Sequence, residues 1–257
     1  MRMLAALLLM TCAAVANYAQ PEDAKAGGGS PILVELFTSE GCSSCPPADE
    51  LLEKLDGSQP VPGAQLIVMS EHVDYWNHDG WKDPYSSSLL TERQSAYVQA
   101  LGVSELYTPQ MIADGRSELR LADPRQMAQI VQKAAADPKI PIRIESASVA
   151  GNVLRGRIET DINSEKQNAD LYLAIALDRA QSQVLRGENS GRRLTHVAVV
   201  EYLKKIGKLE SGKKCGQDFQ VKLKPGEDAA NIRIIAFLQE PGPGKVLGAV
   251  LRKPPIQ

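Results

Sequence analysis

Cys42-Ser43-Ser44-Cys45 places two thiols three residues apart. At the start of a helix, side chains at that spacing are neighbours, so the two sulfurs can close a small disulfide ring. Free backbone amides at a helix start favour a negative group, which should lower the pKa of Cys42, expected to be the more exposed of the pair. Its thiolate can attack a substrate disulfide and Cys45 can resolve the mixed disulfide. Asp49 and Glu50, in the first turns of the helix, push the other way. A zinc ribbon needs two such pairs, and the chain has only four cysteines, at 12, 42, 45 and 215. Two further readings stay open: a fixed structural disulfide, and a Cu(I) site in which His72 joins the two thiolates.

Aromatic residues concentrate downstream of this motif. Six of the twelve lie from Tyr75 to Tyr107, including both Trp residues, and His72 and His78 sit in or beside the same stretch. Trp76 and Tyr107 are candidates for a wall that binds a peptide beside Cys42. The competing reading is that Trp76, Trp81 and Tyr85 pack an insertion onto the domain. His72 is a candidate proton shuttle, His78 reads as solvated, and His196 as structural. Cys215 is unpaired by count, which is worth flagging in an exported chain.

The elements that must position these residues alternate. Ile32 to Thr38 is an apolar, β-branched strand. Cys45 to Leu55 reads as a helix with prolines in its first turn. Gln65 to Ser70 is a strand, Leu89 to Leu101 a helix ended by Gly102, and Gln110 to Ala113 a short strand. Asp114-Gly115 signals a hairpin turn completed by Glu118 to Leu121. Asp123 and Pro124 then open a last helix. The order is that of an α/β domain over 31–137. From Pro141 onward the pattern turns to short strands: Ile142 to Glu145, Val153 to Ile158, Leu171 to Leu177, Ile232 to Leu238 and Val246 to Leu251. This predicts a mostly β, sandwich-like domain over 138–257. One helical piece is expected over Thr195 to Ile206.

Pro109 stands immediately before an apolar strand, an awkward place unless the strand amide is not needed. In a thioredoxin fold a cis-proline facing the cysteine pair sits here. The Thr108–Pro109 bond is therefore expected cis, with Thr108 backbone groups offered to a bound substrate chain.

Residues 31–55 and 102–115 resemble the active-site and cis-proline segments of the thioredoxin superfamily. Val34 to Asp49, His72-Val73-Asp74-Tyr75-Trp76, Gly80-Trp81-Lys82-Asp83-Pro84 and Tyr107-Thr108-Pro109-Gln110 more closely resemble a secreted bacterial family. That family is catalogued as domain-of-unknown-function family 1223. The resemblance implies a thioredoxin-like fold and export, and brings no substrate or reaction. The chain departs from ordinary thioredoxins: no Trp precedes Cys42, and Ser43-Ser44 replaces Gly-Pro. The residues that help set a redox potential therefore differ.

Residues 1–16 have the layout of a signal peptide: Arg2, an apolar run from Met3 to Met10, then Ala14-Val15-Ala16. Residues 17–30 read as a flexible linker, rich in glycine toward its end. A periplasmic or secreted location follows, where disulfides persist. Cys12 would offer a membrane tether if lipidated. With 29 basic and 31 acidic residues there is no excess positive charge to grip a phosphate backbone, so nucleic acid is not an expected partner. No run of 18 apolar residues predicts a membrane-spanning helix. The expectation is an exported thiol-disulfide oxidoreductase that acts on protein or small-molecule disulfides. Cys42 attacks, Cys45 resolves, Thr108 and Pro109 shape the substrate groove, and neither cofactor nor metal is required. A non-catalytic binding module is the remaining alternative.

Overall fold

Ser30–Thr38 (β1) and Ala64–His72 (β2) are apolar, largely buried runs joined by the helix Pro46–Ser58 (α1). Such runs suit a strand covered on both faces. They pair in parallel register, Ser30 with Ala64 through Thr38 with His72. Both strands therefore deliver their carboxyl ends to one edge, where the Cys42 turn begins. The computed structural model describes residues 28–162 and 168–254. The expected signal peptide, Cys12 and residues 17–27 of the linker lie outside the described residues.

The chain continues through Ser88–Leu101 (α2), Gln110–Ala113 (β3), Ser117–Glu118 (β4) and Pro124–Ala135 (α3). Gly102 ends α2 in the left-handed region, and Asp123 caps α3 through the Gln126 amide. Between β3 and β4, Asp114 and Gly115 both have positive φ, 55° and 71°. That pair stands at the centre of a turn closed by the Arg116 amide on the Ala113 carbonyl at 3.1 Å, in a three-residue loop between Ala113 and its partner Ser117. A Cβ on Gly115 would also stand 2.2 Å from the Gly244 carbonyl oxygen.

Beyond residue 137 come Ile142–Ala150 (β5), Val153–Thr160 (β6), Ala169–Gln183 (β7), Arg193–Leu209 (β8), Gly216–Lys222 (β9), Ile232–Gln239 (β10) and Val246–Arg252 (β11). The helix expected over Thr195 to Ile206 is not formed: these residues belong to β8. Its Val, Ile and Thr content favours strand, and β7 supplies a long antiparallel partner, from Ala169 with Leu209 to Gln183 with Arg193. The run Val197–Val200 is buried, which a strand inside a sheet satisfies and a surface helix does not.

Two sheets result, in the orders β11-β10-β7-β8-β2-β1-β3-β4 and β5-β6-β9. The larger sheet is mixed and runs straight across the boundary expected at 137/138, because β8 pairs with β2 at Ser70 and Val199. One of its faces carries α2 and an apolar layer from Leu33 and Met69 to Phe237 and Ala249. The other is covered by α1 and α3 at one end, over Val34, Leu36 and Val68. At the other end the small sheet packs Leu154, Ile158 and Phe219 onto Leu173, Ile234 and Leu238. The β-rich half is thus sandwich-like, and one layer of that sandwich is shared with the first half. The architecture is mostly β, with three α-helices among the described residues.

Candidate functional site: the cysteine turn and its buried braces

Cys42 and Cys45 are joined by a disulfide, with Cα atoms 5.4 Å apart. Cys45 is the residue that caps α1, its carbonyl accepting the amides of Ala48 and Asp49 at 2.8 and 3.1 Å. The expectation that Cys42 is the more exposed cysteine is corrected: both have no exposed surface. The intervening Ser43 and Ser44 are exposed, so the turn shows its serines to solvent and keeps its sulfurs covered.

The Thr108–Pro109 bond is cis. The Thr108 carbonyl oxygen lies 3.8 Å from Cys42 Sγ, and the Ser44 hydroxyl 3.3 Å from the same sulfur. The proline loop is held from two sides. The Trp76 indole donates to Thr108 Oγ1 at 2.8 Å. Fully buried Gln94, on α2, donates to the Tyr107 carbonyl at 2.7 Å. Tyr107 is 39% exposed, and its hydroxyl donates to Glu118. Burial and the Glu118 carboxylate together raise its pKa.

The aromatic segment is a brace for this turn. The Trp81 indole donates to Glu40 Oε2 at 2.8 Å. Gly41 is required by close approach: a Cβ there would stand 2.9 Å from Cβ of Trp76. Both indole N–H groups are spent on the loops that carry Cys42 and Pro109, so Trp76 packs and positions before it can bind anything else.

Beneath the turn lies a group of buried charged residues. Fully buried Asp83 accepts the Glu40 amide at 2.8 Å, the Tyr85 amide at 2.9 Å and His72 Nδ1 at 2.7 Å. Burial alone would raise the Asp83 pKa; the His72 ring and the two amides overcome this and lower it. His72, fully buried, is thus tied to the cysteine turn through Asp83 and the Glu40 amide. Its other ring nitrogen has no hydrogen-bond partner among the described residues. The ring meets His196 edge-on, centroids 4.7 Å apart, with Tyr85 alongside at 5.4 Å. His78 is exposed, as expected.

His196, on β8, lies between Glu40, 3.3 Å away at Nε2, and Asp49 of α1, 3.6 Å away at Nδ1. Burial opposes its charge, but the two carboxylates outweigh that and push its pKa up to about 10. Ser182 of β7 also donates to Glu40.

The loop 184–192 between β7 and β8 reaches over from the far half of the chain. The buried Asn189 side chain donates to the carbonyls of both Glu40 and Cys42, each at 2.9 Å. The Ser43 amide donates to Glu188 Oε2 at 3.0 Å. The structure therefore brings Cys42, Cys45, Thr108, Pro109 and Trp76 together around one turn. It adds Glu40, Asp49, Asp83, Glu188, Asn189 and His196 to the same neighbourhood. Glu40, Asp49 and Asp83 lie inside the stretches singled out in the sequence. Glu188, Asn189 and His196 carry no local signal, because only the pairing of β8 with β2 brings them near.

Among the described residues, no three His, Cys, Asp or Glu side chains are arranged to hold a metal ion. His72 is engaged with Asp83 rather than with the sulfurs. Cys215 is a free, partly buried thiol beside the apolar layer under the small sheet, and its burial raises its pKa. Among the described residues, no helix is long and apolar enough to cross a membrane.

A protein of Agrobacterium tumefaciens with a known crystal structure is similar at a TM-score of 0.67 and 25% identity, over 89% of this chain and 98% of that chain. A domain of the outer membrane lipoprotein Omp28 from Porphyromonas gingivalis covers 46% of this chain and 88% of that chain, at 15% identity and a TM-score of 0.31. The sporulation control protein Spo0M of Bacillus subtilis covers 45% of this chain and 47% of that chain, at 12% identity and a TM-score of 0.31. At those scores neither bears on the fold. No curated protein matches the chain. The sequence pattern of the family described as protein of unknown function (DUF1223) matches residues 33–239, a span that takes in the cysteine turn, both indoles, the proline loop and the strap from β7 to β8, and the chain belongs to that family.

Proposed function

We propose that the protein is an exported thiol-disulfide oxidoreductase built on a thioredoxin-type unit, with Cys42 and Cys45 as its reactive pair. One observation carries this reading. A disulfide at the head of α1 faces the Thr108-Pro109 loop, whose Thr108 carbonyl lies 3.8 Å from Cys42 Sγ. The leader-like residues 1–16 support export, where such a couple operates on exposed disulfides.

In the reducing direction, the Cys42 thiolate attacks one sulfur of a substrate disulfide. A Cys42–substrate bond forms, the substrate bond breaks, and one substrate thiolate leaves and takes up a proton. The Cys45 thiolate then attacks Cys42 Sγ, closing the internal disulfide and releasing the second substrate thiol. Two electrons pass from the cysteine pair to the substrate, and an external dithiol restores the pair. The reverse sequence oxidises a substrate dithiol. Leu106 and Tyr107, each 39% exposed, offer apolar surface to a polypeptide substrate just before Thr108.

Reduction of insulin disulfides by dithiothreitol, with and without the protein, tests the proposal. Acceleration by the parent, its loss in Cys42→Ser, and a trapped mixed disulfide in Cys45→Ser are the expected results. A parent no faster than dithiothreitol alone, with nothing trapped by Cys45→Ser, overturns it.

A further inference from the structure

Glu188 is an exposed carboxylate on the loop between β7 and β8, and its Oε2 accepts the amide of Ser43, the residue directly after Cys42. Asn189, next in sequence, is buried and bonds the carbonyls on either side of Gly41. Gly187 packs against the aromatic segment, its Cβ position 3.0 Å from the Asp79 carbonyl oxygen and 3.2 Å from Cβ of Trp81. The loop is thus a strap laid over the cysteine turn, anchored on both sides, and Cys42 beneath it has no exposed surface.

We infer that Glu188 is a positioning residue that restrains Cys42: it occupies the Ser43 amide, in the turn that leads into α1, and sets a negative charge beside the place where the Cys42 thiolate must form. The inference rests on the oxidoreductase reading. Amides at a helix start stabilise a thiolate. The Glu188 carboxylate takes the Ser43 amide, the donor next to Cys42 in the turn, and its charge repels the thiolate. Of the carboxylates bonded to the turn or lying beneath it, Glu40, Asp49, Asp83 and Glu188, the last is the exposed one. Glu40 and Asp83 lie below the turn with His72; Asp49 on α1 and Glu40 flank His196 of β8; Arg192 on the strap is bound to Asn189 Oδ1 at 3.1 Å. The buried acids have the two histidines as contact partners, and within the strap Arg192 spends a donor on the Asn189 amide oxygen. Glu188 has the Ser43 amide as its partner, and that bond lowers its own pKa, so it is charged wherever the thiolate would be.

Alkylation of Cys42 against pH, in a Cys45→Ser, Cys215→Ser background, reads the effect directly. E188Q should lower the midpoint of the alkylation profile by about half a pH unit to one unit. E188D, which keeps the charge, should stay within a small fraction of that. Equal midpoints in the parent and E188Q overturn the inference. Insulin turnover by the full-length protein separates the two readings. A shifted midpoint without turnover in the parent supports the role of Glu188 and removes the oxidoreductase reading. Turnover with an unshifted midpoint removes Glu188 and keeps that reading.

Discussion

The two faces of β1 and β2 each bury a cluster of charged residues, and the clusters are built differently. On the face beneath α2, Glu35 and Glu71 meet Arg93. Its guanidinium lies 2.6 Å from Glu35 and 3.7 Å from Glu71, and within 5.6 Å of the ring centres of Tyr97, Tyr172 and Phe237. Tyr97 donates to Glu35 at 2.6 Å and receives a bond from Gln239 at 2.8 Å. A permanent cation sits at the centre, neutralised and enclosed by aromatic faces. On the opposite face, Glu40, Asp49 and Asp83 meet His72 and His196, and the charge of His196 depends on pH. Four buried atoms there have no hydrogen-bond partner among the described residues, Asp49 Oδ1, Ser70 Oγ, His72 Nε2 and His196 Nδ1; both Glu71 carboxylate oxygens in the arginine cluster likewise have none. One cluster is organised around a group that cannot give up its proton. The other holds a histidine, His196, that can, and it lies under the cysteines. The first locks α2 onto the sheet, and the second gives the cysteine turn an adjustable foundation.

Removing the permanent cation should have the largest effect. Arg93→Leu leaves Glu35 buried without its counter-ion, and urea denaturation should show a loss of about 3–5 kcal/mol. A loss below 1 kcal/mol would mean that Arg93 is not the keystone and that the contrast between the clusters is false. The histidine cluster should instead reveal itself through pH. His196 has a raised folded pKa of about 10, against 6.5 for an ordinary histidine. Its stabilisation is therefore fully present below pH 6.5 and disappears as pH rises through 10. Unfolding free energies should show His196→Gln weaker than the parent by about 2–4 kcal/mol at pH 6, with the two curves converging near pH 10. Parallel curves would show that the imidazolium contributes nothing. The smallest effect sharpens the comparison within the arginine cluster. Burial first, then the neighbouring Glu35 carboxylate, hold the Glu71 pKa well above its usual value, against the pull of Arg93. The folded state therefore retains a proton that the unfolded chain releases, and the cost grows as pH rises above 4.5. Glu71→Gln should match the parent near pH 5 and exceed it by about 1–2 kcal/mol at pH 8. A variant that is weaker at both values would show that the carboxylate is ionised and paired.

Much of the cysteine turn was legible one residue at a time. The strand before Cys42, the prolines that open α1, the Asp114-Gly115 hairpin and the Asp123 cap are local backbone preferences, decided by neighbours within a few positions. The element order up to residue 137 follows from them. The parallel direction of β1 and β2 follows too, since a helix joins them, whereas the strand expected to end at Ser70 runs on to pair His72 with Thr38. The family resemblance extended this to the aromatic segment and to Pro109.

What the residues did not show individually depends on partners far away in the chain. The segment 195–206 mixes apolar spacings that fit either a helix or a buried strand, and only β7 on one side and β2 on the other decide for strand. That decision carries His196 to Glu40 and Asp49, across more than 140 residues, and brings Glu188 and Asn189 over the cysteines. The exposure of Cys42 was misjudged for the same reason: position at a helix start determines the amides nearby, whereas burial depends on whatever else packs there. A side chain's local conformation and chemistry are written in its own neighbourhood. Its charge, accessibility and partners are set by non-local pairing, which comes into being only when the sheet closes.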